Sequence, residues 1–154
     1  MPASEESYLE QSREPVPTGP GEVVAAAWVC VRERRVLVVR AHRSDAFYLP
    51  GGKPEPGETH AAAAAREAEE EVGVVLDAGR LRHFRTIEAP AHNRPAGTRV
   101  RLVCYLGEPA VADAAPAPAN EIAELAWFAS ADAARCAPAI RLLLDELVRV
   151  DLID

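Results

Sequence analysis

Residues 51–74 read GGKPEPGETHAAAAAREAEEEVGV, a Gly/Pro-rich loop that runs into a strong helix former. Pro50, Pro54 and Pro56, with Gly51, Gly52 and Gly57, forbid helix until about Thr59. Thr59 suits an N-cap, because its hydroxyl can accept a bond from an orphan amide of the first turn. The Ala-rich run that follows has high helix propensity, and Gly73 is placed to end it. On such a helix residues three and four apart are neighbours, so Glu67 meets both Glu70 and Glu71, and each like-charge pair repels by roughly a few tenths of a kcal/mol. That repulsion calls for a counter-charge. A hard divalent cation such as Mg2+ supplies one, since it takes oxygen ligands and needs only one or two carboxylates, leaving room for waters and substrate phosphates. Glu69 lies about 200° around the helix from Glu67 and belongs to the solvated face.

From Gly52 to Val74 the spacing resembles the Nudix signature, Gly-x5-Glu-x7-Arg-Glu-U-x-Glu-Glu-x-Gly-U, where U is a bulky aliphatic residue. Gly52, Glu58, Arg66, Glu67, Glu70, Glu71, Gly73 and Val74 fill its positions. Ala68 departs from the pattern, being small where the family usually places Leu, Ile or Val. The resemblance implies an α/β (α+β) fold, the Nudix α/β/α sandwich with a mixed β-sheet between helices. It also implies a Mg2+- or Mn2+-dependent hydrolase of phosphorus-containing acid anhydrides.

Carried over position by position, the resemblance makes Glu67, Glu70 and Glu71 the metal ligands, with the Gly52 carbonyl as a further oxygen. Arg66 would orient a ligand carboxylate. Glu67 is one candidate base. Glu121 is another, as base or ligand, because Glu121 and Trp127 reproduce a Glu-x5-Trp spacing near the last strand of some members. The plainer reading of Glu121 is a solvated loop acid, with Glu124 as a competitor. Glu58 is either a supporting acid of the metal site or an acid favoured by the helix dipole.

Arg43 and Lys53, with Arg40 and His42 beside them, lie near the loop and are candidates for phosphate contact; the alternative is a set of surface cations. Tyr48 and Phe47 are candidates to stack a base, a contact worth roughly 1–3 kcal/mol. Trp28 and Trp127 read as core. The four histidines, at 42, 60, 83 and 92, show no metal-ligand spacing.

The chain has 154 residues, a length that fits one domain with a real core. Residues 1–20, ending in PVPTGP, read as a flexible tail, and residues 21–154 as a single Nudix domain. With 24 acidic and 17 basic residues the net charge is -7, and Lys53 is the only lysine. Such a balance argues against binding nucleic acid polymers, whose partners present a basic face. It leaves small nucleotides open, because Mg2+ can mediate between acids and phosphate. Cys30, Cys104 and Cys136 are too scattered for a disulfide framework or a zinc cluster, and Cys30 and Cys104 read as buried thiols. The N-terminus shows no signal peptide and no apolar run reaches 18 residues, so a cytoplasmic protein without membrane association is the expectation. The resemblance makes a homodimer, through the tail or a hairpin edge, a candidate assembly.

Val-rich runs on both sides of Glu33 and Arg34 predict a β-hairpin from Glu22 to Arg40. Further strands are expected in LRHFRTIEA, TRVRLVCYLG and ELAWFA. An amphipathic C-terminal helix follows, with apolar residues at 140, 143, 144, 147 and 148. The preferred activity is cleavage of a (d)NTP to NMP and pyrophosphate. The alternatives are an ADP-ribose or other NDP-X pyrophosphatase, for which Pro90 speaks weakly, and a non-catalytic nucleotide-binding module. A metal-free acidic helix ranks last, since it leaves the PGG and PEPGE elements without a purpose.

Overall fold

The Val/Ala run after Gly21 forms strand β1 (Glu22–Val29), whose successive side chains enter opposite cores, as the period of two in a pleated strand requires. The structure is a computed structural model and describes residues 21–154, so the expected tail over 1–20 lies outside the described residues. Ala27 and Val29 enter one core, while Ala26 and Trp28 face the other. β1 runs parallel to β6 (Arg99–Leu106), which pairs antiparallel with β5 (Arg82–Pro90). The other edge of β1 holds a two-residue strand, β4 (Gly51–Gly52), giving the order β4-β1-β6-β5. A second sheet joins β2 (Val31–Arg32), β3 (Arg35–Ala41) and β7 (Ile122–Phe128), all antiparallel.

The hairpin expected from Glu22 to Arg40 is therefore much shorter than its Val content suggests. Only Val31 and Arg32 pair with Val36 and Arg35, through a turn whose Glu33 and Arg34 have φ of 50° and 62°. Positive φ at both central residues is what a tight type I′ hairpin demands. Upstream, β1 leaves for the other sheet, where all eight of its residues find partners on β6. The second half of β1, residues 26–29, is buried on both faces and carries no alternation to reveal its partner, and that is why the longer hairpin misleads.

Helices α1 (His60–Val72) and α2 (Pro138–Arg149) cover opposite faces of these sheets. Ala63 and Ala64 of α1 pack on Ala26, and Ala68 and Val72 pack with Trp28, Leu37 and Val39. The small Ala68 is thus accompanied by the largest residue type in the chain. Trp28 is fully buried and its Nε1–H donates to Gly107 O at 2.8 Å. On α2, Ile140, Leu143, Leu144 and Leu147 fill the other core with Val36, Val38 and Leu102. Full burial of each such side chain contributes about 1.5–3 kcal/mol. Val148, expected on this stripe, is 41 % exposed, because it stands about 100° around the helix from Leu147. The expected sandwich of helix, sheet and helix is present, with its middle layer divided into a mixed sheet and an antiparallel one. All three cysteines are free and buried, and burial pushes the Cys30, Cys104 and Cys136 thiols up to about 11, about 12 and about 11.

Candidate metal centre and substrate cleft

The acids of α1 are brought to the sheet by residues that lack side chains. A Cβ on Gly51 would collide with the backbone of Ala26 and Ala27, and one on Gly52 would lie 2.5 Å from Glu67 Oε1. Glycine at both positions lets β4 lie flush on β1 and lets the Glu67 carboxylate reach the backbone. The helix starts where expected, with Thr59 Oγ1 accepting from Ala62 N at 3.1 Å, and ends on Gly73 at φ 69°.

Its last turn builds the rest of the site. Four carbonyls at a helix C-terminus lack intrahelical partners. Here Gly73 N–H donates to Glu69 O at 3.0 Å, Ala119 N–H to Glu71 O at 3.0 Å and Ala117 N–H to Val72 O at 3.0 Å. The Asn120 amide donates to Glu70 O. The Ala/Pro-rich loop is in this way fastened to the end of α1, and the next residue, Glu121, arrives beside Glu67 and Glu71. One carboxylate oxygen from each of Glu67, Glu71 and Glu121 lies within 4.8 Å of the other two.

Withdrawal from water makes this cluster uncomfortable when ionised. Glu71 is only 7 % exposed, and burial pushes its carboxyl up to about 8, reinforced by Glu67, Glu121 and Glu70 and opposed by the Gly51 N–H that donates to Oε2 at 3.2 Å. Burial also raises Glu67, against the pull of Arg66. Arg66 braces the group. Its Nε and Nη2 grip Glu58 at 2.9 and 3.0 Å, its Nη1 reaches Glu67 Oε1 at 3.0 Å, and its Nη2 donates to Lys53 O at 3.2 Å. The bidentate contact holds the Glu58 carboxyl below its ordinary range and raises the guanidinium above its own. Glu58 therefore anchors Arg66, closer to a supporting acid than to a dipole acid. Glu70 stands apart from the three converging acids, half-exposed and 3.4 Å from Arg66 Nη1. Glu69 is exposed.

A cleft of about 530 Å³ starts at this cluster, and both sheets line it. Glu71, Glu121, Gly52 and Lys53 line it with Tyr48, and Ala25, Ala27, Val100 and Leu102 give it an apolar wall. Arg43 is exposed and does not line it. Arg40 is occupied by Glu124 at 2.8 Å, which also removes Glu124 as a rival of Glu121. Among the aromatic candidates, Phe47 is buried against Phe128 with ring centroids 4.8 Å apart, and Trp127 is half-buried against the core with the Arg32 guanidinium 5.7 Å from its ring. Tyr48 is left as the aromatic that meets the cleft. His92, Arg94 and Pro90 also line it. His92 and Arg94 escape sequence reasoning, because the partner of His92, Asp45, is 47 positions away and no spacing rule connects them.

A family model described as NUDIX domain matches residues 14–147. No curated protein matches the chain. Among solved structures, the chain is similar to a MutT NUDIX hydrolase from Burkholderia pseudomallei, at 25 % identity and TM-score 0.66 over 82 % of this chain and 98 % of that one. It is similar to an Ap4A hydrolase of C. elegans, at 21 % identity and TM-score 0.65 over 83 % and 96 %. It is also similar to the dihydroneopterin triphosphate pyrophosphohydrolase of E. coli, at 23 % identity and TM-score 0.61 over 82 % and 94 %.

Proposed function

On the premise that this chain belongs to the Nudix family of hydrolases, which act on phosphorus-containing acid anhydrides, we propose that it cleaves the diphosphate linkage of a nucleoside diphosphate derivative with Mg2+ or Mn2+ as cofactor. The preferred substrate is a (d)NTP, cut to NMP and pyrophosphate. The observation that carries this reading is the convergence of Glu67, Glu71 and Glu121 at the head of the cleft. Their donor set fits a hard divalent ion: oxygen atoms only, several negative charges, and burial that leaves Glu71 short of a counter-charge.

Glu67, Glu71 and Glu121 would hold the ion, with the Gly52 carbonyl beside them and Glu70 turning in from its loose contact with Arg66. A divalent ion bound there neutralises phosphate charge and makes nearby water a better nucleophile. Arg66 keeps the Glu67 carboxylate oriented, the kind of support that fixes ligand geometry. Glu67 or Glu121 accepts the proton of the attacking water. Lys53 meets phosphate at the rim, and Tyr48 offers its ring to the base. The volume suits a small nucleotide, since clefts for such ligands run from roughly 300 to 1,000 Å³. The named substrates of the C. elegans and E. coli neighbours, Ap4A and dihydroneopterin triphosphate, support a polyphosphate substrate. Pro90 favours a second reading, an ADP-ribose or other NDP-X pyrophosphatase, because it lines the cleft.

No helix among the described residues is long and apolar enough to cross a membrane. Three free, buried thiols suit a reducing compartment, which supports a cytoplasmic setting. Release of pyrophosphate and monophosphate with Mg2+ across NTPs, oxidised dGTP, ADP-ribose, NADH and dinucleoside polyphosphates tests the proposal, with Glu70→Gln alongside. Selective turnover that Glu70→Gln lowers by orders of magnitude is expected. Near-normal turnover in that variant removes Glu70 from the metal set, and no turnover on any substrate favours a binding module.

A further inference from the structure

Two loops that line the cleft are tied to each other by side chains that the hydrolytic reading does not use. The first, residues 42–50, is a fixed post. Arg40, paired with Glu124, donates to Ala41 O at 3.1 Å and Ser44 O at 3.0 Å, and the Ser44 hydroxyl lies 3.0 Å from Ala46 O. Phe47 and Leu49 are buried beneath it, and Tyr48 exchanges backbone bonds with Val39 at 2.8 Å. Asp45 stands on this post with its side chain 72 % exposed.

The second loop, residues 91–98, joins β5 to β6 and is an arm. Its base is closed by Ala91 N–H to Thr98 O at 2.9 Å, and Asn93 and Gly97 have φ of 53° and 87°. Just beyond that base His92 Nε2 lies 2.7 Å from Asp45 Oδ1, and Asn93 Nδ2 donates to the same oxygen at 3.2 Å. The His92 ring also faces Tyr48, with centroids 6.3 Å apart.

We propose that Asp45 is a positioning residue for substrate. Its carboxylate latches His92 and Asn93, and through them the arm 91–98, against the wall of the cleft that Tyr48 forms. A carboxylate that meets its donors at the surface makes a weak and reversible contact, which suits a latch and would not suit a structural brace. Ala91, His92 and Arg94 all line the cleft, so releasing the arm alters that wall. The acids lie on other elements, Glu67 and Glu71 on α1 and Glu121 in the turn just before β7, so the latch acts on how substrate is held and leaves the hydrolytic groups in place. The substrate part of this inference rests on the nucleotide-hydrolase reading; the loop closure does not.

The test uses the full chain and two readouts. Amide hydrogen exchange over 91–98 should accelerate in Asp45→Ala and in His92→Ala. His92→Gln, whose amide nitrogen can stand in for Nε2 as donor, should return it to the original rate. With ATP and Mg2+, Asp45→Ala should raise KM about two- to fivefold, the range that loss of an exposed polar contact allows, with kcat unchanged. Unchanged exchange over 91–98 in Asp45→Ala overturns the latch. Faster exchange with KM unchanged, or a fall in kcat at constant KM, overturns the positioning role. If the unaltered chain does not turn over ATP, the triphosphate reading fails, and the exchange comparison of Asp45→Ala with His92→Gln decides the latch by itself.

Discussion

At the Glu71 end of the cleft three carboxylates lie within 4.8 Å of one another, Glu71 buried, Glu67 partly buried and Glu121 exposed. At the Asp45 end a single carboxylate meets two donors in the open. The first arrangement is costly until a cation arrives, and so stores a demand for a ligand. The second satisfies itself, and so can be made and broken at little cost. On the proposed reading, like charges held together by the fold are where a cation is taken up, and an acid that meets its donors at the surface is where the chain can move.

The sharpest way to break this contrast is to discharge the buried end. Glu71→Gln should lower kcat by roughly a thousandfold or more, about 4 kcal/mol of transition-state stabilisation, read in the same product-release assay. A mild effect would mean that the buried acids are not the engine. Arg66→Met comes next. It leaves the acids present but unbraced, and a loss of about 10- to 100-fold in activity or metal affinity is expected, as for removal of other groups that orient a ligand. Titration calorimetry with Mg2+ separates the two effects.

Stability as a function of pH sharpens the comparison without any substrate. An acid whose pKa is raised on folding still binds a proton that the unfolded chain has released, so stability falls as pH rises through the interval. Glu71, pushed up to about 8 from 4.5, and Glu67, raised as well, both act in this direction. His60, lowered by burial from 6.5, acts oppositely, but only below 6.5. Between pH 6.5 and 8 the metal-free protein should therefore lose Tm. Mg2+ should restore it, and more at pH 8 than at pH 6.5, because the ion binds only the deprotonated acids. Glu71→Gln should flatten both trends in a thermal-shift series. The smallest effect belongs to Glu69→Gln, which should leave turnover within a factor of about two, since an exposed acid outside the cluster contributes little. A large loss there would show that the acidic face of α1 is drawn wrongly.

Much of the buried end was legible before any coordinates, because it is written locally. Thr59, the alanine run, Gly73 and the spacing of Glu67 and Glu71 are local signals, and helix geometry converts them directly into neighbours. Glu121 could be suspected from its distance to Trp127 but not placed, since its position depends on a loop fastened to a helix end 50 residues earlier. The β1 partner is hidden for a related reason: a strand of Val and Ala whose second half is buried on both faces fits several neighbours. The Asp45 end was illegible, as two loops of unremarkable composition meet only in three dimensions. Arg43, close to the site in sequence, points elsewhere in space.

The fastening of residues 117–120 to α1 has a consequence for how this chain can vary. Three of the four bonds that close the helix end come from main-chain amides, of Gly73, Ala117 and Ala119, and only Asn120 uses a side chain. A stretch as plain as ADAAPAPAN can therefore drift in sequence while still delivering Glu121, because nearly any residue brings the same N–H. The exception is proline, which has none. Pro116 and Pro118 fall on the positions between the two donating alanines and just before them, where no amide is called upon. The loop is tolerant of almost every spelling and intolerant of a shift by one.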